Sequence, residues 1–78
     1  MNIGSIIKEL RQKKKMSQEE LAEYLGVSTQ AVSRWETSVS YPDITLIPRI
    51  CEVLDVDEHE LIKSSYDPEY RMIKEEGI

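Results

Sequence analysis

The twenty residues from Ser17 to Glu36, SQEELAEYLGVSTQAVSRWE, leave little freedom in how this chain folds. Ser17 is followed three residues later by Glu20. At that spacing a serine hydroxyl and a glutamate carboxylate satisfy each other's free backbone N–H groups at a helix start. Leu21, Ala22 and Leu25 recur at helical spacing. Gly26 then stops the helix, because only glycine takes the left-handed cap conformation without steric cost. Val27 is an apolar plug, and Ser28 caps a second helix on which Val32 and Trp35 share one face. Ala22 falls where the two helices come closest, so a large side chain there would push them apart. Two short helices meeting steeply across a glycine turn form a helix-turn-helix.

Thr29, Gln30, Ser33 and Arg34 lie on the face of the second helix opposite Val32 and Trp35. All four are polar, and all can donate or accept a hydrogen bond at a base edge. A solvated surface would explain any four such residues on their own. Set inside the full spacing pattern, they point to DNA reading.

A chain of 78 residues is one small domain, large enough to bury a modest single core. It contains no phenylalanine, so the core is built from Ile, Leu and Val, with Trp35 its largest member. The single cysteine, Cys51, leaves no internal disulfide and fits a reducing cytosol. No stretch reaches the roughly 18 apolar residues of a membrane span. The net charge of −5 argues against nucleic acid when taken whole. Its distribution argues otherwise: residues 1–50 hold seven basic and six acidic side chains, residues 51–78 three and nine. The acidity sits away from the reading helix. Binding should therefore lean on dimer geometry and specific contacts more than on bulk phosphate attraction.

Residues 3–14 read as a first helix with Ile3, Ile6, Ile7 and Leu10 on one stripe. Lys13, Lys14 and Lys15 cluster at its C-terminal end, where they suit the helix dipole and can also reach a DNA backbone. Arg11 stands one residue past the stripe, and Glu36 closes the third helix. The fold would bring them together as a partly buried ion pair that sets the angle of the reading helix. Gln18, in the first turn of the second helix, is either an exposed helix start or a phosphate contact. Residues 37–43 form a polar loop in which Thr37, Ser38, Ser40 and Tyr41 can donate to phosphates or simply be solvated.

Residues 44–54 read as a fourth helix, regular from Thr45 or Leu46, with Pro48 tolerated in its first turn. Ile47, Ile50, Cys51 and Leu54 face the core. Asp57 caps a fifth helix with Glu60 as reciprocal partner, and Val56, Leu61 and Ile62 close the core from below. His59 falls on the outer face. Ser64 and Ser65 loosen the chain before Asp67 and Pro68 start a short sixth helix. Tyr66, Tyr70 and Ile73 make an apolar stripe on it. So short a helix needs a surface to lie against. That surface is its own domain, a dimer partner, or a further domain reached through a linker. The expected division is a DNA-binding domain over 1–63 and a tail over 64–78.

The strings IIKELRQKKKMSQEELAEYLGVSTQAVSRWE and SYPDITLIPRICEVLDVDEHELI resemble the Xre-like family of bacterial regulators, the helix-turn-helix domains of phage repressors and Cro proteins. The resemblance implies an all-α, compact five-helix bundle, lambda-repressor-like, here with the short sixth helix added. It implies a homodimer on double-stranded operator DNA with the third helix in the major groove. Residues matching Thr29, Gln30, Ser33 and Arg34 face base edges in the family. Those matching Gln18 and Ser28 touch phosphates, and an Arg–Glu pair matches Arg11 and Glu36. Two features depart from the family: the acidic second half, and a loop without the basic residue or glycine often found near Ser38 or Ser40. The YPD-I-x-L-I-P string resembles members that continue into a C-terminal sensing or interaction domain.

The sequence thus reads as a cytoplasmic, sequence-specific DNA-binding transcriptional regulator, a repressor on a palindromic operator. Gln30 suits adenine, the Thr29 methyl suits thymine, and Arg34 suits guanine or a phosphate. The rival is a protein-interaction module, an antitoxin or adaptor binding a partner through Tyr66, Tyr70 and Ile73. Enzyme chemistry has no support: one cysteine, one outward histidine, no glycine-rich phosphate loop, and no cofactor or metal implied.

Overall fold

Local capping chemistry sets the helix boundaries. The computed structural model describes residues 2–65. Its helices are α1 (Ile3–Lys13), α2 (Gln18–Leu25), α3 (Thr29–Glu36), α4 (Ile47–Leu54) and α5 (Glu58–Ser65), with a 3-10 turn over Ile44–Leu46. Asn2 caps α1 by accepting from the Ser5 N–H. Ser17 and Glu20 form the reciprocal capping box at the start of α2, and Gly26 ends it at φ 71°. Ser28 caps α3 by accepting from the Ala31 N–H. The architecture is the expected all-α five-helix bundle; the expected sixth helix, with Tyr66, Tyr70 and Ile73, lies outside the described residues.

Three expectations need correction. The looser turn before α4 exists, but the regular helix starts at Ile47 rather than Thr45 or Leu46. Pro48 is its second residue, where a missing N–H leaves no helical bond unmade. Asp57 caps α5 by accepting from the His59 N–H at 2.7 Å; no reciprocal bond from Glu60 forms among the described residues. Ser64 and Ser65 belong to α5 rather than to a break after it. Serine is a tolerable helix residue and is not by itself a stop signal.

The core is one cluster. Ile6, Ile7, Leu21, Ala22, Leu25, Val32, Trp35, Ile47, Ile50, Cys51, Leu54 and Leu61 are buried, and Val56 packs at the edge. Ile7, Leu21, Ile50 and Leu61 are among the largest fully enclosed side chains, each worth about 1.5–3 kcal/mol of apolar burial. α2 packs on α3, α1 lies against both α3 and α5, and α4 closes against α2 and α5. Cys51 is a core residue, and burial, helped by Glu58 and Asp57 nearby, pushes its thiol pKa up. No helix among the described residues is long and apolar enough to cross a membrane.

Candidate nucleic-acid interface

α3 is an eight-residue helix with two unlike sides. Val32 and Trp35 are sealed in the core, which leaves Gln30 and Arg34 exposed and Thr29 and Ser33 half-buried. The four residues expected to read bases therefore do lie off the buried face. Arg34 makes no ion pair or side-chain hydrogen bond among the described residues. The nearby carboxylate on its own helix, Glu36, is already taken.

Glu36 is held by two other side chains, Arg11 and Gln18. Its Oε2 accepts from Arg11 Nε at 2.7 Å, and its Oε1 accepts from Arg11 Nη2 at 3.0 Å. This two-pronged pairing is the strong geometry for a guanidinium on a carboxylate. The pair is more deeply buried than its position at a helix end suggests: side-chain exposure is 11% for Arg11 and 2% for Glu36. Hydrogen bonding to Glu36 raises the Arg11 pKa above its ordinary value, so the cation is permanent. Arg11 also donates from Nη1 to the Met16 carbonyl at 2.7 Å, and Gln18 donates from Nε2 to Glu36 Oε1 at 3.0 Å. One buried pair thus ties the end of α1, the start of α2 and the end of α3 together. The Arg11–Glu36 pair was legible from its spacing; the Met16 carbonyl and the Gln18 amide were not, because both depend on how α2 starts.

Gln18 and Ser28 stand at helix N-termini. In α2 the capping box uses the Ser17 and Glu20 N–H groups, and those of Gln18 and Glu19 have no acceptor among the described residues. Such a pair of N–H groups is a ready anion site. Glu19 and Glu20 occupy the same turn and compete for it. Lys13 and Lys14 are exposed at the end of α1, with Lys13 only 4.0 Å from Glu9.

The loop after α3 turns its backbone inward. The N–H groups of Thr37 and Ser38 donate to the carbonyls of Ser33 and Trp35, and those of Val39 and Ser40 donate to the Arg34 carbonyl. The Thr37 hydroxyl donates to the Ser33 carbonyl at 2.9 Å, so its proton is already used. The hydroxyls of Ser38, Ser40 and Tyr41 remain. Ser38 adopts φ 64°, the left-handed region. This is the physical sense of the glycine often found near this position in the resembling family. Asp43, at the far end of the loop, accepts from the Thr45 N–H and hydroxyl, and those bonds lower its pKa.

Two residues near this edge escaped the sequence reading. Asn2 donates from Nδ2 to Ser38 Oγ at 2.8 Å. Gly4 lies so close to α3 that a Cβ there would collide with the Trp35 carbonyl. A polar residue before the first apolar stripe was a visible capping signal for Asn2. Nothing in the local sequence marks Gly4 as a close approach.

The helix-turn-helix family model HTH_3 matches residues 7–61. The chain is 36% identical over 62 residues to the HTH-type transcriptional activator BcrR of Enterococcus faecalis, a match covering 80% of this chain and 30% of that protein. It is 36% identical over 69 residues to the HTH-type transcriptional regulator SinR of Bacillus subtilis, covering 87% and 62%. The chain thus spans 30–62% of the length of these two curated relatives. The fold is similar to the P22 c2 repressor in complex with a synthetic operator, with TM-score 0.73 and 30% identity over 78% of this chain and 92% of that one. It is also similar to SinR in complex with DNA (TM-score 0.70, 38% identity, 77% and 97% covered) and to the SinR–SinI complex (TM-score 0.72, 32% identity, 96% and 77% covered). With the motif, the bundle and a family match across most of its length, this chain belongs to the Xre-like helix-turn-helix family.

Proposed function

We propose that the chain is a sequence-specific DNA-binding transcription regulator that represses by occupying a palindromic operator as a dimer. The observation that carries the reading is α3 itself. One side is locked into the core and clamped through Glu36, while Gln30 and Arg34 stand exposed on the other without partners among the described residues. A helix held rigidly with unspent donors outward suits the major groove, which admits an α-helix. Gln30 pairs with adenine, Arg34 with guanine, the Thr29 methyl packs on thymine, and Ser33 lies at the groove edge. Gln18, Ser28, Lys13 and Lys14 grip phosphates on either side, joined by the loop hydroxyls of Ser38, Ser40 and Tyr41. Thr37 joins them only by giving up its bond to Ser33. Relatives named as regulators, and neighbours solved with operator or DNA, support the same reading.

Selection of bound sequences from a random DNA pool at near-physiological salt tests it. The expected result is a palindrome with half-site centres roughly 10 base pairs apart. Arg34→Ala should then lower affinity for the selected site by ~1–3 kcal/mol and relax one or two base positions. An equal loss on every sequence would assign Arg34 to the backbone. No enrichment at all would sink the reading.

A second reading, a protein-interaction module working through Tyr66, Tyr70 and Ile73, draws support from the likeness to SinR bound to SinI. Sedimentation of a chain truncated after Ser65 separates the two. Self-association or partner binding that survives truncation removes the tail as the interface.

A further inference from the structure

We propose that Asn2 is a positioning residue for contact with the DNA backbone: it holds the Ser38 hydroxyl so that the Ser38 proton is left for a phosphate oxygen. The inference rests on the DNA-binding reading above and adds to it a residue at the opposite end of the helix-turn-helix half.

The geometry fixes which atom does what. Asn2 Oδ1 accepts from the Ser5 N–H at 2.9 Å, and only the amide oxygen can do so. The amide nitrogen is thereby turned to Ser38 Oγ, 2.8 Å away. A hydroxyl has one proton and two lone pairs. Accepting from Asn2 uses a lone pair and leaves the proton pointing elsewhere. No acceptor for that proton lies among the described residues, in contrast to Thr37, whose proton goes to the Ser33 carbonyl.

Ser38 is exposed, sits at φ 64°, and lies two residues beyond the clamped Glu36. Its own N–H is bound to the Trp35 carbonyl at 3.1 Å. The same carbonyl is the one that a side chain at Gly4 would strike. The bare Cα of Gly4 is what lets α1 begin close enough to α3 for Asn2 to reach Ser38. With the backbone N–H groups of residues 37–40 turned inward, these four residues have hydroxyls left to offer, and Ser38 is held in place by the N-cap of α1. A donor already immobilised loses less freedom when it meets its acceptor. A phosphate contact of this kind fixes register and carries no base information.

The test separates this role from capping of α1. Asn2→Ser keeps a good N-cap acceptor but is too short to reach Ser38. Ser38→Gly removes the hydroxyl and accepts the left-handed backbone. Fluorescence anisotropy would measure the full chain and both variants, singly and together, on the selected duplex and on a random duplex of equal length. Thermal unfolding would follow in parallel. Each single variant should bind about two- to fivefold more weakly, alike on both duplexes, the loss expected for one hydrogen bond. The double variant should be no weaker than Ser38→Gly, and Asn2→Ser should leave the unfolding midpoint within about 2 °C. Unchanged binding by either single variant overturns the inference. So does full additivity, or a loss seen on the selected duplex only. If the native chain binds neither duplex, the functional reading falls with it; if it binds and Asn2→Ser does not weaken it, only the role of Asn2 falls.

Discussion

The helix-turn-helix unit over residues 17–36 and the junction where α1 meets the end of α3 are held in different ways. In the first, the caps and the turn are closed within a few residues along the chain, Ser17 with Glu20, Ser28 with the Ala31 N–H, Gly26 on the carbonyls of α2, and one longer bond, Gln18 to Glu36, spans the unit. In the second, the partners are 25 and 36 residues apart: Arg11 with Glu36, and Asn2 with Ser38. Gly26 and Gly4 show the same contrast. Nothing stands within 4 Å of where a Gly26 Cβ would be, so that position needs glycine for its positive φ alone. Gly4 is ordinary helix, and needs glycine only because Trp35 lies across it. The local unit shapes the reading helix; the junction decides the angle at which it is held.

The largest expected effect is at the Arg11–Glu36 pair. Arg11→Met should cost about 3 kcal/mol or more, because it leaves a buried carboxylate without its cation. Urea denaturation measures it, and a cost under about 1 kcal/mol would show the pair to be a surface contact. Gly4→Ala should cost about 1–3 kcal/mol through overpacking. Its amide spectrum should show shifts at Trp35 and Ser38 while residues 17–26 stay in place. Shifts spreading evenly through α2 would erase the distinction between the two regions. Ser17→Ala should cost about 1 kcal/mol, the usual value of an N-cap. Hydrogen exchange should place that loss in the first turn of α2, leaving the Asn2–Ser38 end protected as before.

The smallest effect belongs to Asp43, which is fully exposed. Bonding to the Thr45 N–H holds its pKa below the ordinary 3.8. A carboxylate with a depressed folded pKa adds stability above its unfolded pKa and loses it as pH falls through the folded value. The difference between the native chain and Asp43→Asn should therefore be flat from neutral pH down to about pH 5 and shrink below 3.8. A difference that grew on acidification would contradict the direction of the shift.

The bundle was readable because helix starts and stops are written in single residues. Capping boxes, a left-handed glycine and apolar spacing act over one or two turns, so residue order carries them. The core positions Ile47, Ile50, Cys51 and Leu54 followed from the same periodicity. Where the reading slipped, the signals were weak ones: a 3-10 turn passing into α4, an Asp57 bond one residue early, and two serines that do not stop a helix.

Residue order alone sets the helices, the turn between α2 and α3, which face of α3 goes inward, and the pairing of Arg11 with Glu36. Helix packing is what makes this pair also hold Met16 and Gln18, bars a side chain at Gly4, and brings Asn2 to Ser38. The physical reason is distance along the chain. A cap or a stripe is set by neighbours, whereas a hydrogen bond between the first residues and the loop after α3 exists only once α1 has been laid against Trp35.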